Sequence, residues 1–309
     1  MASLKEIKGR IASIQSTQKI TSAMRMVASA KLHRTQGMTE NFLRYMDSLR
    51  DIMNHLNIQE DSSMPPVTPS RPLMEGTGLE DKMVLIPISS NSGLCGAFNS
   101  NIAKATFRRI EELKQQGAEV ALMPIGKKIV HELKKENIDC NLDYSSLMER
   151  IEKGDALPHI STLINTVLQQ YEAGTITNVE FIYHHFKSMG SQVITTKELP
   201  LQSPVTHTPR KALPIEGEMS EGQRGSSFLT EPSAEELIQS LFPRLLNAEV
   251  YGTLLDSLTS EHASRMLAMQ TADDNANDLL KELTLLYNKT RQQAITNELI
   301  DIMGGKAQE

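Results

Sequence analysis

The feature that most constrains this chain is an apolar seam at each of its two ends. Stepping alternately three and four residues from Leu4 gives Leu4, Ile7, Ile11, Ile14, Gln18, Thr21, Arg25, Ala28, Leu32, Thr35, Thr39, Phe42, Met46, Leu49, Met53 and Leu56. Eleven of these sixteen positions are apolar, and no proline interrupts them. A heptad seam sustained this far predicts a coiled coil, not the surface helix of a globule. Ser3 and Glu6 have the spacing of a capping box. The other end gives Leu241, Arg244, Ala248, Tyr251, Leu255, Leu258, His262, Arg265, Met269, Ala272, Ala276, Leu279, Leu283, Leu286 and Thr290, then shifts phase to Ile295, Leu299 and Ile302. Pro243 is a candidate kink near its start, and Gly304-Gly305 the expected stop.

Length turns the pattern into a shape. At about 1.5 Å per residue, helices over 4–56 and 244–303 span roughly 80 and 90 Å. A compact globule of 309 residues would have a radius of gyration near 19 Å. At least one helix must project as a rod, and the simplest rod pairs the two ends antiparallel, because the chain has to return. Aromatics are only 4% of the chain and Trp is absent, while Met reaches 16, so the packing is expected to rest on Leu, Ile and Met.

Charge divides along the same lines. Residues 1–39 carry seven Lys/Arg and one acid, whereas 234–303 carry eleven acids and five Lys/Arg, within an overall net charge of −6. The ends can attract each other or two different partners, and the balance is not that of a strongly basic nucleic-acid binder. Gln18, Thr21 and Arg25 interrupt the first seam, and His262 and Arg265 the second. Polar seam residues can fix register. They can also mark a thin polar stretch of shaft that another protein surrounds, since Ala23, Ala28, Ser29 and Ala30 match Ala263, Ser264, Ala268 and Ala272 in smallness. Both readings stay open on the sequence.

The middle of the chain has a different pattern. Residues 57–80 are rich in Pro, Ser, Thr and Gly and read as a linker. Strands are expected at 82–89, 119–125, 178–187 and 192–198, with helices at 98–116, 127–136 and 158–173. Strands alternating with helices predict βαβ units and parallel pairing. Residues 200–227 form a low-complexity insertion expected to be mobile, and 228–230 can add a short strand before Pro232 opens the last helix.

Candidate chemistry is sparse. The turn Ser89-Ser-Asn-Ser-Gly-Leu-Cys-Gly-Ala-Phe98 lies between a strand and a helix, where phosphate loops sit, but Gly93 and Gly96 match neither G-x-G-x-x-G nor a P-loop. It reads as a tight structural turn. Asp273-Asp-Asn-Ala-Asn-Asp278 begins like a calcium loop, but Asp278 and Thr284 stand where glycine and glutamate are required. His184 and His185 are adjacent in a strand and point to opposite faces, so they cannot share a metal. Cys95 and Cys140 are too few for a disulfide scaffold and read as reduced thiols. No run of 18 apolar residues is present. Residues 1–35 lack an apolar signal core and a separate transit segment, so the mature chain is expected to begin at or near Met1, in a cytoplasm. No catalytic constellation, cofactor site or metal site emerges.

The terminal segments carry a resemblance. Leu4-Lys-Glu-Ile-Lys-Gly-Arg-Ile-Ala-Ser-Ile-Gln-Ser-Thr-Gln-Lys-Ile-Thr-Ser-Ala-Met-Arg-Met-Val-Ala-Ser-Ala-Lys31 closely resembles the N-terminal helix of the gamma subunits of F-type ATP synthases. Gly93–Asn99, Glu261–Met269 and the stretch from Tyr287 to Gly304 are similar to other motifs of that family. The resemblance implies an α/β protein: a long antiparallel coiled coil of the N- and C-terminal helices plus a central Rossmann-like α/β domain. It implies helix over 1–58, linker over 59–80, α/β domain over 81–230 and C-terminal helix over 231–309. It further implies a central-stalk rotor without a catalytic site or cofactor, present in one copy per complex and binding no nucleic acid. Its partners would be the alpha and beta subunits of the catalytic hexamer, the epsilon subunit and the membrane c-ring. The expected place is the cytoplasmic face of a bacterial inner membrane. Met24 and Arg25 match positions facing a beta-subunit loop, and Arg291, Gln292 and Thr296 match a second beta contact, although Arg291 could instead only balance Glu298 or Asp301. The insertion 200–227 holds no cysteine, so the redox control of plastid relatives is not implied. Two rivals remain at this level: a static coiled-coil tether with a partner-binding head, and an enzyme that uses the head on a small molecule.

Overall fold

The computed structural model describes residues 3–59, 82–138, 140, 144–201, 231 and 233–305. The strand expected at 228–230 and all but the ends of the expected linker and insertion lie outside these residues.

The two seams form two long helices. Helix α1 runs Leu4–Gln59 and helix α6 Ala234–Gly305, 56 and 72 residues, or about 84 and 108 Å at 1.5 Å per residue. Pro243 lies inside α6, and the helix ends at Gly305, within the glycine pair expected to stop it. At the start of α1 the Glu6 amide donates to Ser3 Oγ at 3.3 Å. The Glu6 carboxylate turns forward to Arg10 at 3.1 Å, so only half of the capping box forms. Every expected seam position from Leu4 to Met53 is buried or half-buried. The pairing is antiparallel: Gln18 Nε2 donates to Asn277 Oδ1 at 2.6 Å, and Arg25 donates to Gln270. At the foot, Met46 and Leu49 pack against Ala248, and Met53 against Ile238.

The far half of the α6 seam departs from expectation. Beyond Ala276, the half-buried positions are Leu280, Leu283, Tyr287, Thr290 and Ala294, while Leu279 and Leu286 are 48% and 47% exposed. The stripe steps by four after Ala276, where the strict alternation expected three. Leucines at 279, 280, 285 and 286 leave the phase ambiguous in sequence. Ile295 and Leu299, expected to continue the stripe, are exposed because the register places them past the end of α1.

Between the long helices lies a sheet of four strands in the order β2-β1-β3-β4. β1 (Lys82–Pro87) pairs in parallel with β2 (Glu119–Leu122) and with β3 (Asn178–Ser188), and β4 (Ser191–Glu198) pairs antiparallel with β3. The first three strands are joined by helical crossovers, whereas only Met189-Gly190 separates β3 from β4, which forces a hairpin. Strand β2 is shorter than the expected 119–125, with Ile125 retaining a single parallel bridge to Ile88. The helices are α2 (Phe98–Gln115), α3 (Lys127–Lys135), α4 (Leu147–Lys153) and α5 (Leu157–Glu172). Helix α4 was not expected. Its seven residues are too few to show a period, and Gly154 ends it at φ 86°.

Alternation along the strands builds two cores. Val84, Ile86, Ile88, Val179, Phe181 and Tyr183 face α5 and α6, where Leu246, Val250, Leu254 and Leu258 meet them. Leu85 and Ile182 face the other way, onto Ile102 and Ile110 of α2 and Ile129 and Leu133 of α3. Helix α6 therefore belongs both to the shaft and to the core of the head. That second face also holds Glu180, clasped by Arg109 of α2 through Nε at 3.1 Å and Nη2 at 3.0 Å.

Candidate functional surface on the shaft

The turn 89–98 between β1 and α2 is tied to α3 by hydrogen bonds. Ser89 Oγ accepts from the Ile129 amide at 2.9 Å, Asn91 Oδ1 from Lys127 at 2.9 Å, and the Ser90 carbonyl from Lys128 at 3.2 Å. The first amides of α3 are thereby occupied, which ties α3 to the turn. Ser90 and Asn99 bond to each other across the turn at 2.8 Å, and Leu94 and Gly96 adopt φ of 63° and 60°. Cys95 is buried and Cys140 half-buried.

This turn is also a seat for the shaft. Arg265 Nη2 donates to Ser92 Oγ at 2.7 Å, and Gly96 backs onto Ala268, where an added Cβ would lie 3.7 Å from the alanine methyl. Ser264 Oγ donates to Gln192 Oε1 at 3.0 Å. His262 is buried, with Nε2 3.3 Å from Glu152 Oε1 of α4. The bond from His262 and the neighbouring Lys31 ammonium hold the Glu152 carboxyl down at about 2, against the opposing effect of burial. Two of the polar interruptions in the second seam, His262 and Arg265, thus anchor the head. Gln18 and Arg25 set register against α6, as one of the two sequence readings expected. The small residues Ser264 and Ala268 meet the head.

The adjacent histidines point apart, as expected. His184 stacks on Phe98 at a ring distance of 4.2 Å, and burial pushes its imidazole down to about 4. His185 Nδ1 lies 2.6 Å from Asp256 of α6. Asp273, Asp274 and Asp278 lie within α6, and among the described residues no group of three or more His, Cys, Asp or Glu is arranged to hold a metal.

Above Ala268 the shaft continues as a pair of helices. Met24 and Arg25 lie half-buried on α1 at the root of this stretch. Both cross-helix pairs, Gln18–Asn277 and Arg25–Gln270, have position numbers that sum to 295. That register brings Leu4, the first residue of α1, level with Arg291. Arg291, Gln292 and Thr296 are exposed on α6 at the point where two helices become one, and the Thr296 hydroxyl donates to the Gln292 carbonyl at 2.9 Å. Arg291 makes no ion pair among the described side chains, with Glu298 included. The two groups of expected contact residues are not brought together. Gln270 and Arg291 are separated by about 32 Å along α6. Beyond them Ile295, Leu299, Ile300 and Met303 are 48%, 55%, 61% and 75% exposed.

Sequence reasoning missed the ionic ties of the junction. Lys31, Arg50, Glu152, Lys197 and Glu249 are ordinary surface-type residues in the sequence, and no spacing links them. His262 and Arg265 did carry a signal, as polar residues on an apolar stripe.

Comparison with known proteins bears on both rod and head. A family model described as ATP synthase matches residues 3–307. An ATP synthase gamma chain of Parabacteroides distasonis is 47% identical over 308 residues, covering 99% of both chains. One of Bacteroides thetaiotaomicron is 41% identical over 310 residues, covering 100% of each. Among solved structures, a chain from the central stalk/c-ring structure of the Tetrahymena thermophila mitochondrial ATP synthase matches with TM-score 0.52 and 24% identity, over 82% of this chain and 99% of that one. A chain of the Euglena gracilis mitochondrial ATP synthase matches with TM-score 0.57 and 16% identity, over 98% and 93%. These two likenesses concern the fold. Motifs, full-length identity and the shared arrangement of paired helices and head lead to one conclusion: the chain belongs to the gamma-chain family of ATP synthases.

Proposed function

We propose that this chain is the central-stalk rotor subunit of a proton-translocating F-type ATP synthase. It couples proton flow through the membrane c-ring to conformational cycling of the catalytic beta subunits, and it helps regulate ATPase activity. The observation that carries the reading is the shape and surface of the shaft. A two-helix rod leaves the head, narrows to one helix near Arg291, and ends in exposed Leu299, Ile300 and Met303. Apolar surface on such a tip requires a protein around it, and the alpha–beta hexamer is the enclosing partner. The gamma-chain relatives at 41–47% identity support the same assignment. The chain is then a non-catalytic subunit, one per complex, whose head meets the epsilon subunit and the c-ring. Among the described residues no helix is long and apolar enough to cross a membrane. The subunit is peripheral, on the cytoplasmic face of the bacterial inner membrane. The division into helix 1–58, linker 59–80, head 81–230 and helix 231–309 belongs to the same proposal.

Two levels of beta contact follow. Met24 and Arg25 meet one beta-subunit loop, and Arg291, Gln292 and Thr296 meet another. Arginine suits an acidic loop because its planar fork donates twice to one carboxylate. The test tethers the shaft to its sleeve. A cysteine replacing Met24, paired with one on the facing beta loop, forms a disulfide only where the Cα atoms come within about 7 Å. Oxidation is expected to abolish steady ATP hydrolysis, and reduction to restore it. Full hydrolysis with the cross-link quantitatively formed overturns the rotor reading and favours a static tether.

A further inference from the structure

Two ionic clusters join the same three parts of the molecule. In the first, Lys31 of α1 lies 2.9 Å from Glu152 of α4, and the same carboxylate meets His262 Nε2 of α6 at 3.3 Å. In the second, Arg50 of α1 lies 2.5 Å from Glu249 of α6, which also meets Lys197 of β4 at 2.6 Å. Lys197 reaches Thr253 of α6 at 3.3 Å as well. Each cluster holds one residue from α1, one from α6 and one from the head. In each, the α6 member is the most buried, with 2% of the His262 side chain and 10% of that of Glu249 exposed. The α6 members are thirteen positions apart, about 20 Å of helix.

We infer that these two clusters are clamps that resist twisting of α1 and the head about α6, so that torque passes between head and shaft with little lost angle. This rests on the rotor reading above. Helix α6 needs no clamp of its own, because its apolar face is part of the head core. Helix α1 is different. It lies along α6 on a seam that includes Thr35, Thr39 and other small or polar positions, and apolar contacts are non-directional, so apart from the register pairs of Gln18 and Arg25 this seam resists rolling weakly. Two charged bonds oppose rolling, Lys31 of α1 to Glu152 of the head and Arg50 of α1 to Glu249 of α6, because α1 cannot roll about α6 without stretching both. Two such bonds at separated heights also oppose tilt. The anion shared between two donors makes each cluster cooperative. Glu249 shows the balance: burial alone would raise its carboxyl, and Lys197 and Arg50 hold it below the ordinary range. Networks of this kind carry coupling between distant parts of a protein.

The test uses the assembled complex with a marker on the head and the hexamer fixed to a surface, and reads the spread of marker angles during catalytic pauses. The variant Lys31→Met with Arg50→Met removes the α1 arm of each clamp. These side chains are 47% and 48% exposed, and both carboxylates keep a second partner, His262 and Lys197. The expected result is a pause-angle spread about twofold wider, from loss of the links that carry the coupling, with unloaded hydrolysis unchanged. The variant Lys31→Arg with Arg50→Lys keeps both charges and is expected to restore the original spread. A Met variant with the original spread, or a charge-keeping variant as wide as the Met variant, overturns the inference. A marker that does not turn in the unaltered complex overturns the rotor reading instead.

Discussion

Replacing Arg109 with methionine should destabilise the head by an amount that depends on where Glu180 sits. Glu180 lies in β3, on the same face as Ile182, and its side chain is only 1% exposed. Arg109 contributes three of its hydrogen bonds, from Nε to both carboxylate oxygens at 3.1 Å and from Nη2 at 3.0 Å. This bonding raises the Arg109 guanidinium above its ordinary value. An exposed pair would be worth about 0.2–1 kcal/mol, whereas stranding one charge of a buried pair costs about 3–5 kcal/mol. Arg109 itself is 29% exposed, at a groove lined by Asn101, Lys104, Arg108 and Thr196. Water can enter from that side, so the lower end, about 3 kcal/mol, is expected. At about 2–4 °C per kcal/mol for a domain of 150–250 residues, Tm should fall by roughly 6–12 °C. The measurement is thermal and urea unfolding by circular dichroism at neutral pH. Adding Glu180→Met should recover most of the loss, since a buried ion pair is often replaceable by apolar groups of similar volume. A loss below about 1 kcal/mol for Arg109→Met, or a double variant as unstable as the single, refutes the account.

Three further outcomes are expected. Gly126→Ala places a Cβ 2.2 Å from the Ser89 carbonyl oxygen at φ +101°, so it should cost more than about 2 kcal/mol through clash and backbone strain; unfolding within 0.5 kcal/mol of the parent, about the surface-substitution range, would refute it. Because the folded Glu152 carboxyl titrates at about 2, below an unfolded value of about 4.3, its stabilisation is complete above the unfolded value and is lost as pH falls toward 2. Glu152→Gln should therefore flatten the acid limb of the stability curve there, and parallel curves would contradict the bond. Arg291→Ala with Gln292→Ala should lower ATP turnover by the complex, through loss of a charge-assisted contact of about 1.5–3 kcal/mol, with the circular dichroism of the subunit unchanged; normal turnover removes both residues from the contact surface.

Much of the rod was written in the sequence. The seam of α1 was legible at every step from Leu4 to Met53, because a periodic apolar stripe depends only on neighbours three and four residues away. The strands were legible for a similar reason, as was the separation of His184 from His185. Local ambiguity set the limits. Paired leucines hid the phase of the far α6 seam, and α4 was too short to show a period. The candidate contacts Met24, Arg25, Arg291, Gln292 and Thr296 came from motif resemblance, since nothing in their spacing marks them as a surface.

What only the tertiary structure decided is how rod and head are joined. The sequence showed that Ser92, Glu152, Lys197 and Glu249 exist; it could not show that Ser92 and Glu152 meet Arg265 and His262, or that Lys197 and Arg50 meet on Glu249. The members of each pair are 52 to 199 positions apart in the chain. Periodicity reports the local backbone, which repeats every few residues. A clamp between distant segments depends on the three-dimensional closure of the chain, and a single charged residue leaves no period from which that closure could be read.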